Sequence, residues 1–339
     1  MKAAQWDPAV KKMVVNDLPI PEPAENQFLV KMLSASLCHS DMMAIASPDR
    51  TEPVTIGHEG VGTITKLHPS AEGKGFKEGD VVGFLYIVGC CFECTGCLVH
   101  NLHCETGKQL LQGFSTDGFF AEYAVVDYHN AIILPENFDV KTAAVVFCAG
   151  ITVFHSLDSS ELKPGDWVGV VGCGGLGQMA TQYAKAMGCK VVGIDINDAI
   201  LAEAKAQGAD YVFNSMTNKN YVEELLEVTG GGVQSAAVYS NADAAYAGAT
   251  KIIKLGGVLM VIGLPANPLQ ISSMDLALGK YKVKSESTSI PQRMQKAVEF
   301  TSKHNIFPIV DTRSSLEDVQ DMVDLMHAGK STRRMAVVF

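Results

Sequence analysis

A stretch in the first third of the chain, GCCFECTGCLVHNLHC at 89–104, carries five of the nine cysteines. In a reducing compartment, thiols at such short spacings bind a metal or act in catalysis more often than they form disulfides. Cys90 competes for the first ligand position, and His100 and His103 are further candidate ligands. Four thiolates complete a tetrahedral zinc site with no open position, which is typical of a structural ion. The ligands that we predict are Cys91, Cys94, Cys97 and Cys104.

Three separate motifs, CHSD (38–41), GHEG (57–60) and FCAG (147–150), supply a second candidate metal site. Taken alone, each has a structural explanation, because a single buried cysteine usually packs as a small hydrophobe. Together, Cys38, His58 and Cys148 form the ligand set of a catalytic zinc, which keeps one position for water or substrate. We expect Asp41 to orient the His58 ring, and Glu59 is a candidate transient ligand.

The segment GCGGLG at 172–177 fits the pattern of a phosphate-binding loop, because it lies between an apolar strand and a helical segment. Gly172 would allow the tight turn, and Gly174 would let a pyrophosphate approach the backbone. Gly177 would let the helix pack closely on the strand. Free N–H groups at the helix start bind phosphates. Asp195, at the end of the next strand, would accept hydrogen bonds from the ribose hydroxyls and repel a 2′-phosphate, which favours NAD over NADP. The same loop includes two further predicted cofactor contacts, Gly175 and Leu176.

The elements that must position these residues fall into two groups along the chain. Up to about residue 150, short β-like runs at 28–33, 61–67, 80–88 and 119–126 are broken by Gly and Pro, which is typical of a β-rich domain. From Leu162, six strands alternate with helices, which predicts a doubly wound parallel sheet. After Pro291, two amphipathic helices and a final strand at 335–339 complete the chain.

Length and composition restrict the class of protein. A chain of 339 residues suggests about two domains. The net charge of −10 argues against a nucleic-acid partner, which would require clustered Lys and Arg. No apolar run reaches the roughly 20 residues of a membrane helix, and the N-terminus lacks the apolar core of a secretory signal. We therefore predict a cytoplasmic protein without nucleic-acid or membrane partners.

The order of motifs CHSD, IGHEGVG, the four-cysteine lobe, FCAGIT and VGCGGLG resembles the zinc-containing medium-chain alcohol dehydrogenases, closest to their yeast-type branch. The resemblance covers essentially the whole chain. It implies a GroES-like catalytic domain at 1–150, a Rossmann NAD-binding domain at 151–288 and a C-terminal return to the first domain at 289–339. It also implies NAD, two Zn²⁺ per subunit, and assembly as a homo-oligomer, either a dimer or a tetramer.

The resemblance further implies roles for individual residues. The same two sets of zinc ligands carry over unchanged. Ser40 matches the hydroxyl that relays the proton, and His39 matches a contact to the cofactor phosphate. Thr152 matches a nicotinamide contact, and Leu176 the aliphatic residue behind the ring. Arg334 matches a pyrophosphate-binding arginine, with the preceding arginine as the alternative.

Two departures from the family pattern concern the proton path and the cysteine lobe. Where the family often has a histidine that passes the proton to solvent, this chain has Met43, which carries no proton. We therefore expect proton exchange through water or His39. The gap between Cys97 and Cys104 is one residue shorter than the usual form, so the loop should differ in shape.

The predicted reaction is the reversible NAD-linked interconversion of alcohols with aldehydes or ketones. Ala44 and Ala46 stand where bulkier residues would narrow the pocket, and Tyr86 and Phe147 are its candidate walls. An enlarged apolar pocket favours secondary alcohols and bulkier, including aryl, ketones.

Three alternatives use the same scaffold or its cofactor domain. A polyol dehydrogenase of the sorbitol type uses a carboxylate near the second ligand and does not depend on a cysteine such as Cys148. A zinc-free quinone or enone reductase lacks these cysteines. A catalytically idle NAD-binding protein would have a broken site, whereas Cys38, Ser40 and His58 are intact.

Overall fold

The computed structural model describes residues 1–288 and 290–339, which fall into two units. Unit 1 comprises Met1–Ala149 and Thr288–Phe339, and unit 2 comprises Gly150–Ser287. None of the helices in these described ranges is long and apolar enough to cross a membrane.

The strands of the described residues, numbered in chain order, are β1 (Lys2–Asp7), β2 (Lys12–Asp17), β3 (Gln27–Leu37), β4 (Val54–Thr55), β5 (Glu59–Leu67), β6 (Val81–Phe84), β7 (Ile87–Val88), β8 (Leu110–Leu111), β9 (Tyr123–Asp127), β10 (Ala131–Ile133), β11 (Trp167–Val171), β12 (Lys190–Asp195), β13 (Tyr211–Asn214), β14 (Val233–Val238), β15 (Ile253–Val261), β16 (Tyr281–Ser285), β17 (Val310–Arg313) and β18 (Arg334–Val338). The α-helices are α1 (His39–Ile45), α2 (Thr95–Val99), α3 (Ala149–Asp158), α4 (Gly175–Ala186), α5 (Asp198–Ala206), α6 (Tyr221–Thr229), α7 (Asp243–Ile252), α8 (Ser273–Ala277), α9 (Pro291–His304) and α10 (Val319–His327).

The main sheet of unit 1 runs in the order β10-β6-β5-β3-β18-β17, with β9 also paired to β3. The C-terminal strand β18 pairs antiparallel with β3, so the end of the chain is built into the sheet of its first segment. β3 reads QFLVKMLSASL, is mostly buried, and pairs with strands on both of its edges. Its carboxyl end leads directly into α1 and the CHSD motif.

Unit 2 is a parallel sheet in the order β13-β12-β11-β14-β15-β16, with all its pairs parallel. This is the strand order of a doubly wound dinucleotide-binding fold, whose order reverses next to the first strand. The GCGGLG loop follows β11 at that reversal. The six predicted strands and the predicted fold of this segment are confirmed.

Two predicted strands of unit 1 are shorter in the structure. The run 80–88 is split into β6 and β7, because the Leu85 N–H donates to the Asn130 carbonyl and the Tyr86 carbonyl accepts from Gln112. The run 119–126 forms a strand only from Tyr123, because the N–H groups of residues 119 and 120 donate to residues 57 and 56. The second exception places residues 119 and 120 against the segment that precedes His58.

Candidate active site

Four buried side chains of unit 1 converge on one point. The ligand atoms of Cys38, His58, Glu59 and Cys148 all lie within 4.8 Å of one another. Cys38 is the N-cap residue of α1, His58 precedes β5, and Glu59 is its first residue. Cys148 follows a buried turn of 3₁₀-helix at Ala143–Phe147. Two thiols, an imidazole and a carboxylate are suitable donors for Zn²⁺.

Asp41 connects two of these ligands through its carboxylate, which is completely buried. Oδ1 lies 2.9 Å from His58 Nδ1 and also accepts the Gly57 N–H at 3.2 Å. Oδ2 accepts the Cys38 N–H at 2.8 Å. With Nδ1 bound to a carboxylate, Nε2 of His58 is left as the nitrogen that can bind a metal, and the predicted contact between Asp41 and His58 is present.

The two thiols of this site differ in acidity. A hydrogen bond from Cys148 lowers the pKa of Cys38 well below its usual range, and the same contact raises the pKa of Cys148. Cys148 Sγ also lies 3.2 Å from the hydroxyl of Thr288. Since only thiolates bind zinc, binding of a zinc ion at this site would require both sulfurs to be deprotonated.

Glu59 forms a buried ion pair with Arg334, and Ser36 donates to the same carboxylate oxygen, Oε2. Its other oxygen, Oε1, has no hydrogen-bond partner among the described residues. Burial raises the pKa of Glu59 to about 7, although the Arg334 charge opposes this. Oε2 of Glu59 is therefore held by the Arg334 guanidinium, whereas Oε1 is available to bind a metal ion. The contact predicted between Arg334 and a pyrophosphate stays a prediction.

The four predicted thiols of the cysteine lobe form a second cluster, with their sulfurs within 4.8 Å of one another. Backbone N–H groups of Cys91, Cys97 and Glu105 donate to sulfurs of the cluster at 3.4 Å each. The bonds from Glu105 and Cys97 lower the pKa of Cys94. Such bonds stabilise thiolates, so this lobe is suited to a zinc ion with no open position.

The alternative ligands of the lobe point elsewhere. The Cys90 thiol lies 3.4 Å from the Asn101 carbonyl, and burial raises its pKa to about 12. His100 has Nε2 at 3.1 Å from the Thr288 carbonyl, and its Nδ1 accepts the Leu102 N–H at 3.2 Å. Neither residue belongs to the cluster, and neither does His103. The geometry therefore favours Cys91 over Cys90.

In unit 2, the GCGGLG loop has the backbone that phosphate binding requires. Gly172 has φ +89°, a conformation that residues with a side chain rarely adopt. A Cβ on Gly177 would lie 2.1 Å from the Gly172 carbonyl oxygen, whereas a Cβ on Gly174 would meet no described atom within 4 Å. Gly174 is the N-cap residue of α4 and so lies next to the free N–H groups of a helix start, which favour anions.

Asp195 ends β12 and is fixed by the backbone around the loop. Its carboxylate accepts the N–H groups of Cys173 at 2.8 Å, Ile196 at 2.7 Å and Asn197 at 3.0 Å. A carboxylate held in this way is suited to accept further hydrogen bonds from ribose hydroxyls.

Comparison with known proteins identifies the family. Residues 24–136 match the alcohol dehydrogenase GroES-like domain and residues 175–303 match the zinc-binding dehydrogenase family. An alcohol dehydrogenase from Geobacillus stearothermophilus is 34% identical over 342 residues, 99% of this chain and 98% of the relative. The chain belongs to the zinc-containing medium-chain alcohol dehydrogenase family. It is therefore an oxidoreductase of the alcohol dehydrogenase type, which acts on small molecules.

Other comparisons give a further relative and two solved structures with the same fold. An alcohol dehydrogenase from Moraxella sp. is 34% identical over 344 residues, 99% of both chains. Among solved structures, an alcohol dehydrogenase from Aeropyrum pernix aligns over 100% of both chains with a TM-score of 0.89 and 24% identity. An acetophenone reductase from Geotrichum candidum aligns with a TM-score of 0.87 and 21% identity, over 100% of this chain and 97% of the other. The predicted family and fold class, a GroES-like domain with a Rossmann domain, are confirmed, while the yeast-type branch stays a prediction.

The remaining predicted site residues are distributed over both units. In unit 1, Ser40 has its hydroxyl 3.9 Å from Cys38 Sγ, and His39 is the exposed first residue of α1. Met43 lies on the same helix and is 57% exposed. In unit 2, Thr152 is buried on α3 and Leu176 lies in the first turn of α4. Their roles towards cofactor and proton stay predictions.

Two residues beside the first cluster were missed in the sequence. Phe114 contacts the His58 ring, and Arg50 donates to the Phe114 carbonyl. Phe147, predicted as a pocket wall, is completely buried and its ring lies over Gly83, where a Cβ would be 1.8 Å away. The only signal for Phe114 was its place in a glycine-bounded turn, GFSTDG at 113–118.

Proposed function

We propose that this alcohol dehydrogenase binds two zinc ions per subunit, uses NAD, and interconverts primary or secondary alcohols with aldehydes or ketones, favouring bulkier, including aryl, ketones. Residues 1–150 and 289–339 would carry the zinc chemistry and residues 151–288 the cofactor. The observation that supports it most strongly is the buried convergence of Cys38, His58 and Cys148 with Asp41 behind the imidazole. A dimer or tetramer and a cytoplasmic location are part of the same proposal.

The chain's own residues would divide the work of the reaction as follows. Cys38, His58 and Cys148 would hold the catalytic zinc, with Glu59 Oε1 as a further donor. When bound, zinc supplies Lewis acidity to the alcohol oxygen and NAD accepts the hydride. Ser40 would take the hydroxyl proton during oxidation and return it during reduction. Because Met43 has no titratable group, the proton would leave through water or His39.

The preference for NAD is inferred from Asp195. Three backbone N–H groups hold its carboxylate at the end of β12, so it cannot turn away from an added 2′-phosphate. A negative charge fixed at that point would repel the phosphate of NADP. Gly174 and the α4 N-terminus would contact the pyrophosphate.

A panel of substrates, measured with NADH and NADPH in parallel, tests the proposal. We expect kcat/KM to be higher with NADH, and 1-phenylethanol and 2-propanol to be oxidised at least as efficiently as ethanol. Equal use of NADPH would contradict the role of Asp195, and exclusive use of ethanol would contradict the enlarged pocket. Sorbitol belongs in the same panel, since oxidation of sorbitol alone would favour the polyol alternative.

A further inference from the structure

Thr288, the first residue of the segment that returns to unit 1, lies beside one of the candidate catalytic zinc ligands. Its hydroxyl is 3.2 Å from Cys148 Sγ, and the residue is only 8% exposed. Both residues belong to unit 1. A thiolate that binds zinc has no proton, so in that state only the Thr288 hydroxyl can donate the hydrogen bond. Thr288 is therefore placed to hold the Cys148 sulfur from outside the ligand set.

The backbone of Thr288 is bound to the cysteine lobe. Nε2 of His100 lies 3.1 Å from the Thr288 carbonyl oxygen, and Nδ1 of the same ring accepts the Leu102 N–H at 3.2 Å. Because Nδ1 is an acceptor, the neutral ring carries its proton on Nε2, which donates to the Thr288 carbonyl. Burial lowers the pKa of His100, which favours this neutral form. The lobe therefore holds the main chain of the residue whose side chain contacts Cys148.

A second hydrogen bond joins the lobe to the chain just after Thr288. The side-chain amide of Gln292, in the first turn of α9, donates to the Phe92 carbonyl at 3.2 Å. Phe92 follows the first predicted ligand of the lobe and has φ +61°, a conformation that residues with a side chain rarely adopt. Such a conformation persists only where the surroundings fix it. The position of the Phe92 carbonyl therefore depends on a folded lobe.

We infer that Thr288 is a positioning residue for the Cys148 thiolate, and that the cysteine lobe keeps Thr288 in place through His100. The inference rests on the proposed function, because it takes Cys148 as a ligand of the catalytic zinc. It gives the lobe a role besides stability, since the fold of the lobe sets how tightly the other site holds its metal. Hydrogen-bond partners behind metal ligands fix the orientation of those ligands and tune metal affinity.

The first test replaces Thr288 and measures Co²⁺ binding at the catalytic site in protein whose lobe retains Zn²⁺. Thr288→Val keeps a similar shape but loses the hydroxyl, so we expect about 10-fold weaker Co²⁺ binding, the lower end of the effect typical for such partners. A thiolate without this hydrogen bond gives up electron density more easily. The sulfur-to-cobalt charge-transfer band should therefore move to longer wavelength.

Three variants control the first test. Thr288→Ser keeps the hydroxyl and should restore both the Co²⁺ affinity and the band position. Thr301→Val is the matched control, because Thr301 is buried in the same unit and donates to the Ala297 carbonyl at 2.7 Å. Cys148→Ala identifies the band of the catalytic site by its loss. Equal Co²⁺ affinity and band position in Thr288→Val and Thr301→Val would overturn the inference.

The second test measures the contribution of the lobe. His100→Phe keeps a ring but cannot donate to the Thr288 carbonyl, and His100 lies outside the cluster of four thiols. We expect the lobe to keep its zinc while Co²⁺ affinity at the catalytic site falls about 3-fold, within the range for one hydrogen bond between neutral groups. The matched control is His103→Phe, since His103 is exposed and its ring lies 6.3 Å from that of His100.

The combination with Thr288→Val tests whether the lobe acts through the Thr288 hydroxyl. If it does, His100→Phe should lower the Co²⁺ affinity of Thr288→Val no further, because the two effects share one contact. A lower melting temperature of His100→Phe with unchanged Co²⁺ affinity would show a structural role only and overturn this part. Equal effects of His100→Phe and His103→Phe would overturn it as well.

The parent protein distinguishes the two levels of the proposal. If it binds only one zinc ion per chain, the proposed function fails and the inference fails with it. If it binds two zinc ions and oxidises alcohols with NAD, yet Thr288→Val binds Co²⁺ as Thr301→Val does, only the inference about Thr288 fails.

Discussion

The carboxylate of Asp41 lies 2.9 Å from Nδ1 of His58, and both side chains are buried. The other oxygen of Asp41 accepts the backbone N–H of Cys38. One carboxylate therefore fixes both the orientation of the His58 imidazole and the start of α1, where the candidate zinc ligand Cys38 lies. Burial by itself would lower the pKa of His58, but the Asp41 charge raises it well above its usual value, so a zinc ion bound by Nε2 would have to displace a proton there.

Replacing Asp41 by Asn should weaken zinc binding at the catalytic site. The amide keeps the shape but loses the charge that fixes the ring tautomer, and loss of such a partner typically costs about 10–100-fold in metal affinity. Competition with a chelator, followed by metal analysis, measures this. Asp127→Asn is the matched control, because Asp127 makes the same contact with His129 at 2.8 Å outside the two clusters. Equal zinc affinity in Asp41→Asn and Asp127→Asn would refute the role of Asp41.

The cysteine lobe allows a test with neighbouring residues. Cys91→Ser should lose one zinc per chain and lower the melting temperature, because the remaining three thiols cannot close a tetrahedral site. Cys90→Ser should keep both ions, since its thiol faces the Asn101 carbonyl instead of the cluster. Metal analysis and thermal unfolding of the two variants measure the difference. Loss of zinc from Cys90→Ser with retention in Cys91→Ser would reverse the ligand assignment.

Substitution by alanine should have different effects at two glycines of the cofactor loop. Gly177→Ala would place a Cβ 2.1 Å from a carbonyl oxygen, so we expect it to destabilise unit 2 by about 1–3 kcal/mol. The methyl group of Gly174→Ala has room, so this variant should have the same free energy of unfolding as the parent. It should nevertheless bind NADH more weakly. Chemical unfolding and NADH fluorescence titration check both. Unaltered NADH binding by Gly174→Ala would mean that the pyrophosphate lies elsewhere.

Asp210 makes the stability of unit 2 depend on pH. Partial burial opposes its ionisation, but hydrogen bonds from Lys185 and the Val191 N–H lower its pKa below the usual value. A depressed folded-state pKa adds stability above the unfolded pKa, and that stability is lost as the pH falls through the folded value. Because Lys185 and Asp210 are each about one-third exposed, Asp210→Asn should cost no more than about 1 kcal/mol at pH 7.

The difference in the free energy of unfolding between Asp210→Asn and the parent should become smaller as the pH falls below about 4. Urea unfolding at about pH 7, 4, 3 and 2 measures it, because the loss falls between the unfolded pKa and the lower folded one. A constant difference across this range would show that the charge of Asp210 does not contribute.

The two clusters of candidate zinc ligands and the parallel sheet could be predicted from the sequence, because they depend on residue type and on local periodicity. Four closely spaced cysteines are typical of a metal site. The GCGGLG loop requires glycines because of contacts with nearby backbone, which a short sequence pattern can show. Cys91 is the predicted ligand, but no local pattern separates it from Cys90, because the choice depends on which sulfur turns towards the lobe's interior. Only the folded loop settles that direction.

The aromatic surroundings of His58 could not be predicted for a related reason. Phe114 reaches His58 because its loop packs on Gly57 through backbone hydrogen bonds, which leave no pattern in the residue types. Phe147 looked equally suitable as a wall, yet it fills the space over Gly83 in the core. Which of two phenylalanines faces the site is a property of tertiary packing.

The most direct test of the central claim is zinc content together with NAD-linked oxidation of 1-phenylethanol, in the parent and in Cys148→Ala. We predict two zinc ions per chain and turnover in the parent, and one zinc ion with no measurable turnover in the variant, because a three-ligand catalytic site does not survive the loss of a thiolate. Parental turnover by Cys148→Ala would contradict the assignment of Cys38, His58 and Cys148 as the catalytic zinc site.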